Sequence, residues 1–318
     1  MRVLFAGNPA IAVPSLAIAA GTSWTLAGVL TNSDSARGRS GKKESSDIAR
    51  AALSLGVPVL KFDTLKTEAR EAAAALKADL LVSFAYGRIF GPKFLALFPL
   101  GGINIHPSLL PKYRGPSPIQ EAIFRRDTYT GVSIQRLAAG MDEGDILLQT
   151  VVPLDGRETT ASLSETAARA GARLLNQFLS ALKENGTAAL TGQPQQGEPS
   201  YCTLLNRARS CIDWNQSALD IDAQIRACTP WPAAHTAHNG KVINILRAMP
   251  VPGESPRPPE GAPGQVLGKD RKFGILIQTG DGVLAVSCLQ YQTKKALPWQ
   301  AFLNGARDFT GSCLQGGF

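Results

Sequence analysis

Along its first 186 residues the chain alternates short apolar runs with longer amphipathic ones. Val3 to Ala6 is short and apolar enough for a buried strand, and after the Gly7-Asn8-Pro9 turn a helix can start at Pro9. Trp24 to Thr31 reads as a second strand, Ser45 to Leu55 as a helix capped by Ser45 or Ser46, and Pro58 to Leu60 as a short third strand. Thr64 to Lys77 is an alanine-rich helix and Asp79 to Phe84 a buried strand. Alternation at this spacing predicts a mostly parallel sheet covered on both faces. Gly131 to Leu137 then alternates polar and apolar positions, as an edge or antiparallel strand does, and a long helix from Thr160 to Glu184 closes the unit.

The pattern changes class after residue 186. Residues 187–206 are polar and rich in Gly, Gln and Pro, the composition of a linker. One helix follows (Ser217 to Cys228), then short β-type runs at Val242 to Arg247, Gly264 to Leu267, Phe273 to Gln278 and Val283 to Leu289, separated by Gly and Pro turns. Such strand spacing predicts a small barrel, with an OB-fold as the leading candidate, and Pro250 to Pro263 as a long barrel loop. The expected organisation is an α/β domain over 1–186, a linker over 187–206 and a β-barrel domain over 207–318.

Composition narrows the class without naming a reaction. With 44% hydrophobic and 18% charged residues among 318, a wholly disordered chain is excluded. Lys and Arg number 33 against 25 Asp and Glu, a net charge of +8 that favours an anionic partner. From residue 207 onward 12 basic residues face 8 acidic ones, so the excess divides evenly between the halves. Five scattered cysteines, none spaced as CxxC, point to idle thiols in a reducing cytoplasm rather than to a disulfide framework or zinc ribbon. No stretch approaches the ~18 apolar residues of a membrane span. Gly7, Asn8, Pro9 and Pro14 interrupt the N-terminal apolar run, which fits a strand, turn and helix better than a signal peptide.

The chemistry concentrates in few places. The first βα turn, Gly7-Asn8-Pro9-Ala10, is not a dinucleotide fingerprint, and Gly38 to Glu44 fails as a phosphate loop at Ala36 and Lys43. What remains there is a basic loop of Arg37, Arg39, Lys42 and Lys43, either a solvated charge run or a binding element. In Ile103-Asn104-Ile105-His106-Pro107, strand alternation puts Asn104 and His106 on one face, and Pro107 stops the strand beside them. Ligands bind at that carboxyl edge of open α/β sheets, where an amide and an imidazole suit an oxyanion. Asp142, in the turn Gly140 to Asp145, is either a simple turn residue or an acid aimed at His106. His235 and His238 sit three apart near Cys228, but Pro230 and Pro232 argue against a helical ligand pair, and no metal site is expected.

These residues carry a resemblance. INIHPSLLPKYRG followed by GMDEGDILLQ resembles the signature of the folate-dependent formyltransferases. VLFAGNP, the GRSGKK loop, SFAYGRI, GPSPIQEAI, IDWNQSA, IRACTPWPAA, TGDGVLAV and FLNGARDF extend the likeness over nearly the whole chain, to the methionyl-tRNA formyltransferase branch of that superfamily. The family more usually has GRGKK than GRSGKK, and YCTLLNR lacks the lysine expected there. The resemblance implies a Rossmann-like catalytic domain, an OB-fold-like tRNA-binding domain, and a monomer acting in translation initiation on methionyl initiator tRNA. The formyl donor would be 10-formyltetrahydrofolate, and neither a metal nor a membrane partner is implied. Asn104, His106 and Asp142 would be catalytic, the first two stabilising the oxyanion and Asp142 orienting His106 and moving a proton through water. Folate would lie against Phe84, Ala85, Tyr86, Gly87, Ile89, Ser108, Leu109, Leu110 and Pro111, largely on backbone groups. tRNA would meet Arg37, Arg39, Lys42, Lys43, Lys241, Arg247, Lys294 and Lys295. The alternatives are a sugar-nucleotide formyltransferase, a 10-formyltetrahydrofolate hydrolase and a non-catalytic RNA-binding protein.

Overall fold

A computed structural model describes residues 1–21, 23–36, 41, 43–252 and 261–316. The chain divides into two compact units. The first comprises Met1–Pro118, Tyr129–Pro153 and Ser164–Thr203; the second comprises Ile119–Thr128, Leu154–Leu163 and Leu204–Phe318. No helix among the described residues is long and apolar enough to cross a membrane.

In the first unit β1 (Arg2–Gly7), α1 (Val13–Ala19), β2 (Thr25–Thr31), α2 (Asp47–Ser54), β3 (Val59–Lys61), α3 (Thr67–Ala75), β4 (Leu80–Phe84) and β5 (Gly102–His106) follow one another in chain order. Of the two serines in position to cap α2, Ser46 does so, its Oγ accepting from the Ala49 amide at 3.0 Å. After the helix α4 (Pro118–Phe124) come β6 (Tyr129–Arg136), β7 (Ile146–Pro153) and the long helix α5 (Thr160–Asn185). The sheet order is β3-β2-β1-β4-β5-β6-β7, parallel from β3 to β5 and antiparallel across β6 and β7. This is the Rossmann-like arrangement, with the strand order reversing beside β1. Strands β1 and β4 are almost wholly buried, as their unbroken apolar runs require. Under one face lies an aromatic row, Tyr86, Phe90, Phe94 and Phe98, packed in sequence at 5.2 to 5.7 Å between ring centres.

Of the two alternatives for the alternating run at Gly131 to Leu137, the structure shows the antiparallel one: strand β6 pairs with both β5 and β7 and is not an edge. Its polar positions are buried: Ser133 is fully covered and Gln135 is 2% exposed. They are polar because they hydrogen-bond neighbouring loops, as described below. The linker-like stretch also acquires structure. Gln193 bridges to Ile146 and Tyr201 to Arg114, and the chain through Thr203 belongs to the first unit.

In the second unit α6 (Ala218–Cys228), capped by Ser217, precedes an antiparallel sheet. Strands β8 (Ala234–His238), β9 (Lys241–Pro250), β10 (Val266–Asp270), β11 (Gly274–Gln278) and β12 (Val283–Tyr291) pair in the order β8-β9-β12-β11-β10. The C-terminal segment joins the two ends of the sheet, Gln315 bridging to Ala237 and Cys313 to Gln265, so the strands surround a common core. That core holds Trp214, Ile225, Ile243, Ile245, Val266, Ile275, Ile277, Leu284, Val286, Phe302 and Phe309. Two elements of this unit escape a pattern reading: β8, made of Ala-His-Thr-Ala-His, and the helix α7 (Trp299–Gly305).

Candidate active site

Strand β5 sets the geometry. Parallel pairing puts Asn104 beside Ser83 of β4, and antiparallel pairing puts Asn104 opposite Gln135 and His106 opposite Ser133 of β6. After His106 the chain turns at once, the Ser108 amide donating to the His106 carbonyl at 2.9 Å. It then doubles back so that the Tyr113 carbonyl lies 2.9 Å from His106 Nε2. A carbonyl only accepts, so Nε2 carries a hydrogen and Nδ1 is the ring nitrogen turned toward Asp142. His106 is 4% exposed, while Asn104 and Asp142 are partly exposed.

Asp142 is brought to this edge by the turn after β6. Gly144 makes the turn possible, because a Cβ there would lie 1.8 Å from the Arg136 carbonyl. Asp142 itself adopts φ +56°, a left-handed backbone that costs a non-glycine residue about 1 kcal/mol and persists only when its surroundings fix it. They do so through its carboxylate. Oδ1 accepts from Gln135 Nε2 at 2.8 Å and from Asn104 Nδ2 at 3.3 Å. Oδ2 accepts from the Gly115 amide at 2.9 Å and lies 3.5 Å from His106 Nδ1. The three residues singled out from the sequence therefore converge, 38 and 36 positions apart along the chain, on one carboxylate. Gln135, Gly115, Arg114 and Gln195, which support it, do not stand out in the sequence. Only the period-two polar positions of β6 offered a signal for the first of them.

The Ser108 to Pro111 loop is held from below by β6 and β7. Ser133 Oγ donates to the Ser108 carbonyl at 2.7 Å and accepts from the Leu110 amide at 3.2 Å, while Gln149 Nε2 donates to the Leu110 carbonyl at 3.0 Å. Ser108 is fully buried and its hydroxyl donates to the Lys112 carbonyl at 2.5 Å. The loop after β4 divides likewise. The Phe84 ring lies against Gly171 of α5, and Tyr86 is buried against Phe90, burial pushing its hydroxyl up to about 12. Asn8 pins this loop, donating to the Tyr86 carbonyl at 2.7 Å while accepting from Thr31 Oγ1 and the Asn32 amide. What faces outward is Ala85 and Gly87, both with positive φ, and Ile89, which is 70% exposed. Of the positions expected to meet folate, the main chain at 85 and 87 is exposed, while the main-chain groups of Ser108 and Leu110 are bonded within the unit and few side chains are free.

The expected RNA contacts stand apart from this cluster in kind. Arg37, Arg39 and Lys42 lie outside the described residues; exposed Lys43 belongs to a ribbon in which Lys43–Glu44 pairs with Ser35–Ala36. Lys241, Arg247, Lys294 and Lys295 are all exposed on the second unit. The Gln292 amide donates to the Val242 carbonyl, which brings Lys294 and Lys295 to the Lys241 end of the sheet. Arg247 lies opposite Cys288, about 20 Å further along the strand by extended-chain rise. His235 and His238, three apart on β8, fall on opposite faces: His235 meets Ser210 Oγ at 3.1 Å and His238 packs on Phe309. Among the described residues no group of three or more His, Cys, Asp or Glu side chains is placed to hold a metal ion.

Comparison with known proteins fits this arrangement. The formyl transferase family matches residues 1–179, and the formyl transferase C-terminal domain matches 204–307. The methionyl-tRNA formyltransferase of Treponema denticola is 46% identical over 100% of this chain and 99% of its own. The chain belongs to the methionyl-tRNA formyltransferase family. A further member of that family, from Roseiflexus castenholzii, is 39% identical over 99% of both chains. Among solved structures, HypX from Aquifex aeolicus in complex with tetrahydrofolic acid shares the fold at a TM-score of 0.64 and 18% identity, over 98% of this chain and 48% of that longer one. In methionyl-tRNA formyltransferase terms the Asn104–His106–Asp142 cluster falls within the first matched region and the barrel cations within the second. Gln195 and Tyr201 fall between the two.

Proposed function

We propose that this chain transfers the formyl group of 10-formyltetrahydrofolate to the α-amine of methionine on initiator tRNA, as a monomer in the cytoplasm. The observation that carries the reading is the convergence of Asn104 and His106 on the Asp142 carboxylate at a sheet edge, in a chain 46% identical end to end to a methionyl-tRNA formyltransferase. Residues 1–186 are the catalytic domain in this reading, 187–206 the linker and 207–318 the tRNA-binding domain.

The folate co-substrate supplies the formyl carbon. Main chain at Ala85, Gly87 and Ser108 to Pro111 would line its site, the Ser108 and Leu110 carbonyls each keeping a second lone pair beside their bonds to Ser133 and Gln149; Phe84, Tyr86, Leu109 and Leu110 would shape that wall, and Ile89 would be an exposed apolar contact. The amine adds to the formyl carbon, negative charge grows on the formyl oxygen, and the bond to N10 breaks as a proton passes from the amine to N10. Asn104 Nδ2 has a second hydrogen for that oxygen, a contribution worth about 3–4 kcal/mol for one such donor. His106 keeps Nε2 on the Tyr113 carbonyl, so its part is played at Nδ1. There Asp142 Oδ2 lies 3.5 Å away, beyond the roughly 2.7–2.9 Å of a charge-assisted hydrogen bond, so a small approach of the two groups would let them share a proton. Asp142, fixed by Gln135 and Gly115, orients that edge and takes up the proton through water. Arg37, Arg39, Lys42 and Lys43 would meet the acceptor end of tRNA, and Lys241, Arg247, Lys294 and Lys295 its backbone.

The test incubates the protein and 10-formyltetrahydrofolate with charged initiator tRNA, free methionine or an amino-sugar nucleotide. Formylation of the charged tRNA alone is expected. Formylation of the sugar, or formyl loss to water without an acceptor, would replace this reading.

A further inference from the structure

The turn that carries Asp142 is held from two sides. Sheet residues hold its carboxylate, but its backbone is held by the stretch whose composition reads as a linker. Gln195 Nε2 donates to the Asp142 carbonyl at 2.8 Å and to the Gly144 carbonyl at 2.9 Å. Its Oε1 accepts two hydrogen bonds from Arg114, from Nε at 3.1 Å and Nη2 at 2.8 Å. The amide cannot be reversed: carbonyls only accept and a guanidinium only donates, so a flip would oppose like groups on both sides. Arg114 is fixed in turn. Its side chain is 12% exposed, Nη1 donates to the Tyr201 hydroxyl at 3.1 Å and lies 3.5 Å from Glu143 Oε1, and the guanidinium sits 5.8 Å from the Tyr201 ring centre. One neutral amide thus uses both hydrogens and its oxygen to clamp a left-handed aspartate to the strap at 195–201.

We infer that Gln195 is a positioning residue for the formyl transfer proposed above, acting through the backbone of Asp142. The inference rests on that reaction. Without the amide the carbonyls of Asp142 and Gly144 lose their shared donor, and the left-handed turn relaxes away from His106 Nδ1. Displacing a reacting group by about 1 Å can cost up to roughly a hundredfold in rate.

The discriminating variant is Gln195→Glu in the full chain. It keeps the size and the acceptor for Arg114 but turns the two donors into an acceptor facing carbonyls. Steady-state formylation of charged initiator tRNA is measured for wild type, Gln195→Glu, Gln195→Ala and Asp142→Asn, alone and combined. Positioning predicts that Gln195→Glu lowers kcat about tenfold to a hundredfold while both KM values stay within about twofold. It predicts less than about a further twofold loss when Gln195→Glu is added to Asp142→Asn, because both changes act through one group. Amide hydrogen exchange of the folded protein should quicken across residues 140–146 in Gln195→Glu and stay unchanged across α1 to α3, a readout independent of turnover. A wild-type kcat for Gln195→Glu, losses that multiply in the double variant, or unchanged exchange at 140–146 would each overturn the inference and leave the reaction standing. Failure of the wild-type protein to formylate charged tRNA, with exchange responding as expected, would instead remove the reaction and the positioning role built on it.

Discussion

The proposed catalytic cluster of the first unit and the cationic face of the second are both polar, yet they are built in opposite ways. The groups that meet Asp142 are buried or half-buried: Gln135, Asn104, Gly115 and His106 on the carboxylate, Gln195 on the backbone. On the barrel, Lys241, Arg247, Lys294 and Lys295 stand exposed along a sheet whose stability comes from the apolar core beneath. Buried polar networks fix geometry and are intolerant of one missing member. Exposed cations add charge, are screened by salt and substitute for one another. The first arrangement suits a reaction that depends on sub-ångström placement, and the second suits a polyanion gripped at many points.

The difference can be broken first at its strongest point. His106→Ala should lower kcat by about 10²- to 10⁴-fold with tRNA affinity nearly unchanged, measured by turnover and by filter binding. Turnover within a few-fold of wild type would remove His106 from the chemistry. Asn104→Ala should cost about 10²- to 10³-fold in kcat, and a loss confined to KM would make it a binding residue instead. Among the proposed tRNA contacts, replacing Arg37, Arg39, Lys42 and Lys43 of the basic loop together by Ala should flatten the dependence of log affinity on log salt by about 0.7 for each phosphate no longer neutralised, with folate affinity retained. An unchanged salt slope would leave the loop a solvated charge run. The smallest effect concerns the barrel's own stability. Burial, and then the Arg207 guanidinium, hold the His235 imidazole below its ordinary value. The folded protein then binds fewer protons than the unfolded chain below about pH 6.5, so this contribution is complete above that pH and is lost as pH falls through the depressed value. His235→Gln should make Tm fall less steeply between about pH 6.5 and 5; parallel curves would assign the acid sensitivity elsewhere.

How much of this was legible follows the same division. The parallel strands of the first sheet were legible because each is apolar and short, and Pro107 marked the end of β5 where Asn104 and His106 stand. Strand alternation alone put those two side chains on one face. Asp142 was legible as an acid in a glycine turn, but not as a ligand of His106, since nothing in the spacing reports that β6 returns antiparallel beside β5. The alternation of β6 left edge and antiparallel interior strand open for a physical reason: Ser133 and Gln135 are polar to bond the neighbouring loops, and a pattern cannot tell a solvent face from a hydrogen-bonding interior. Gln195 was hidden for the converse reason, a single bonded amide within a stretch whose composition is that of a linker. Strand β8 was obscured because His235, Thr236 and His238 are polar letters in a fully buried strand, where Ser210 meets His235 and Trp214 meets Thr236 from elsewhere in the chain.

In the proposed reaction the Asp142 carboxylate, at the meeting point of Asn104 and His106, moves the proton during formyl transfer. The direct measurement is single-turnover formylation of charged initiator tRNA by wild type and Asp142→Asn, at saturating 10-formyltetrahydrofolate. Asparagine keeps the shape and an acceptor oxygen but carries no charge and takes up no proton. A proton-moving carboxylate there predicts a rate lowered by about 10²- to 10⁴-fold with tRNA and folate affinities within a few-fold of wild type. A single-turnover rate equal to that of wild type would contradict it.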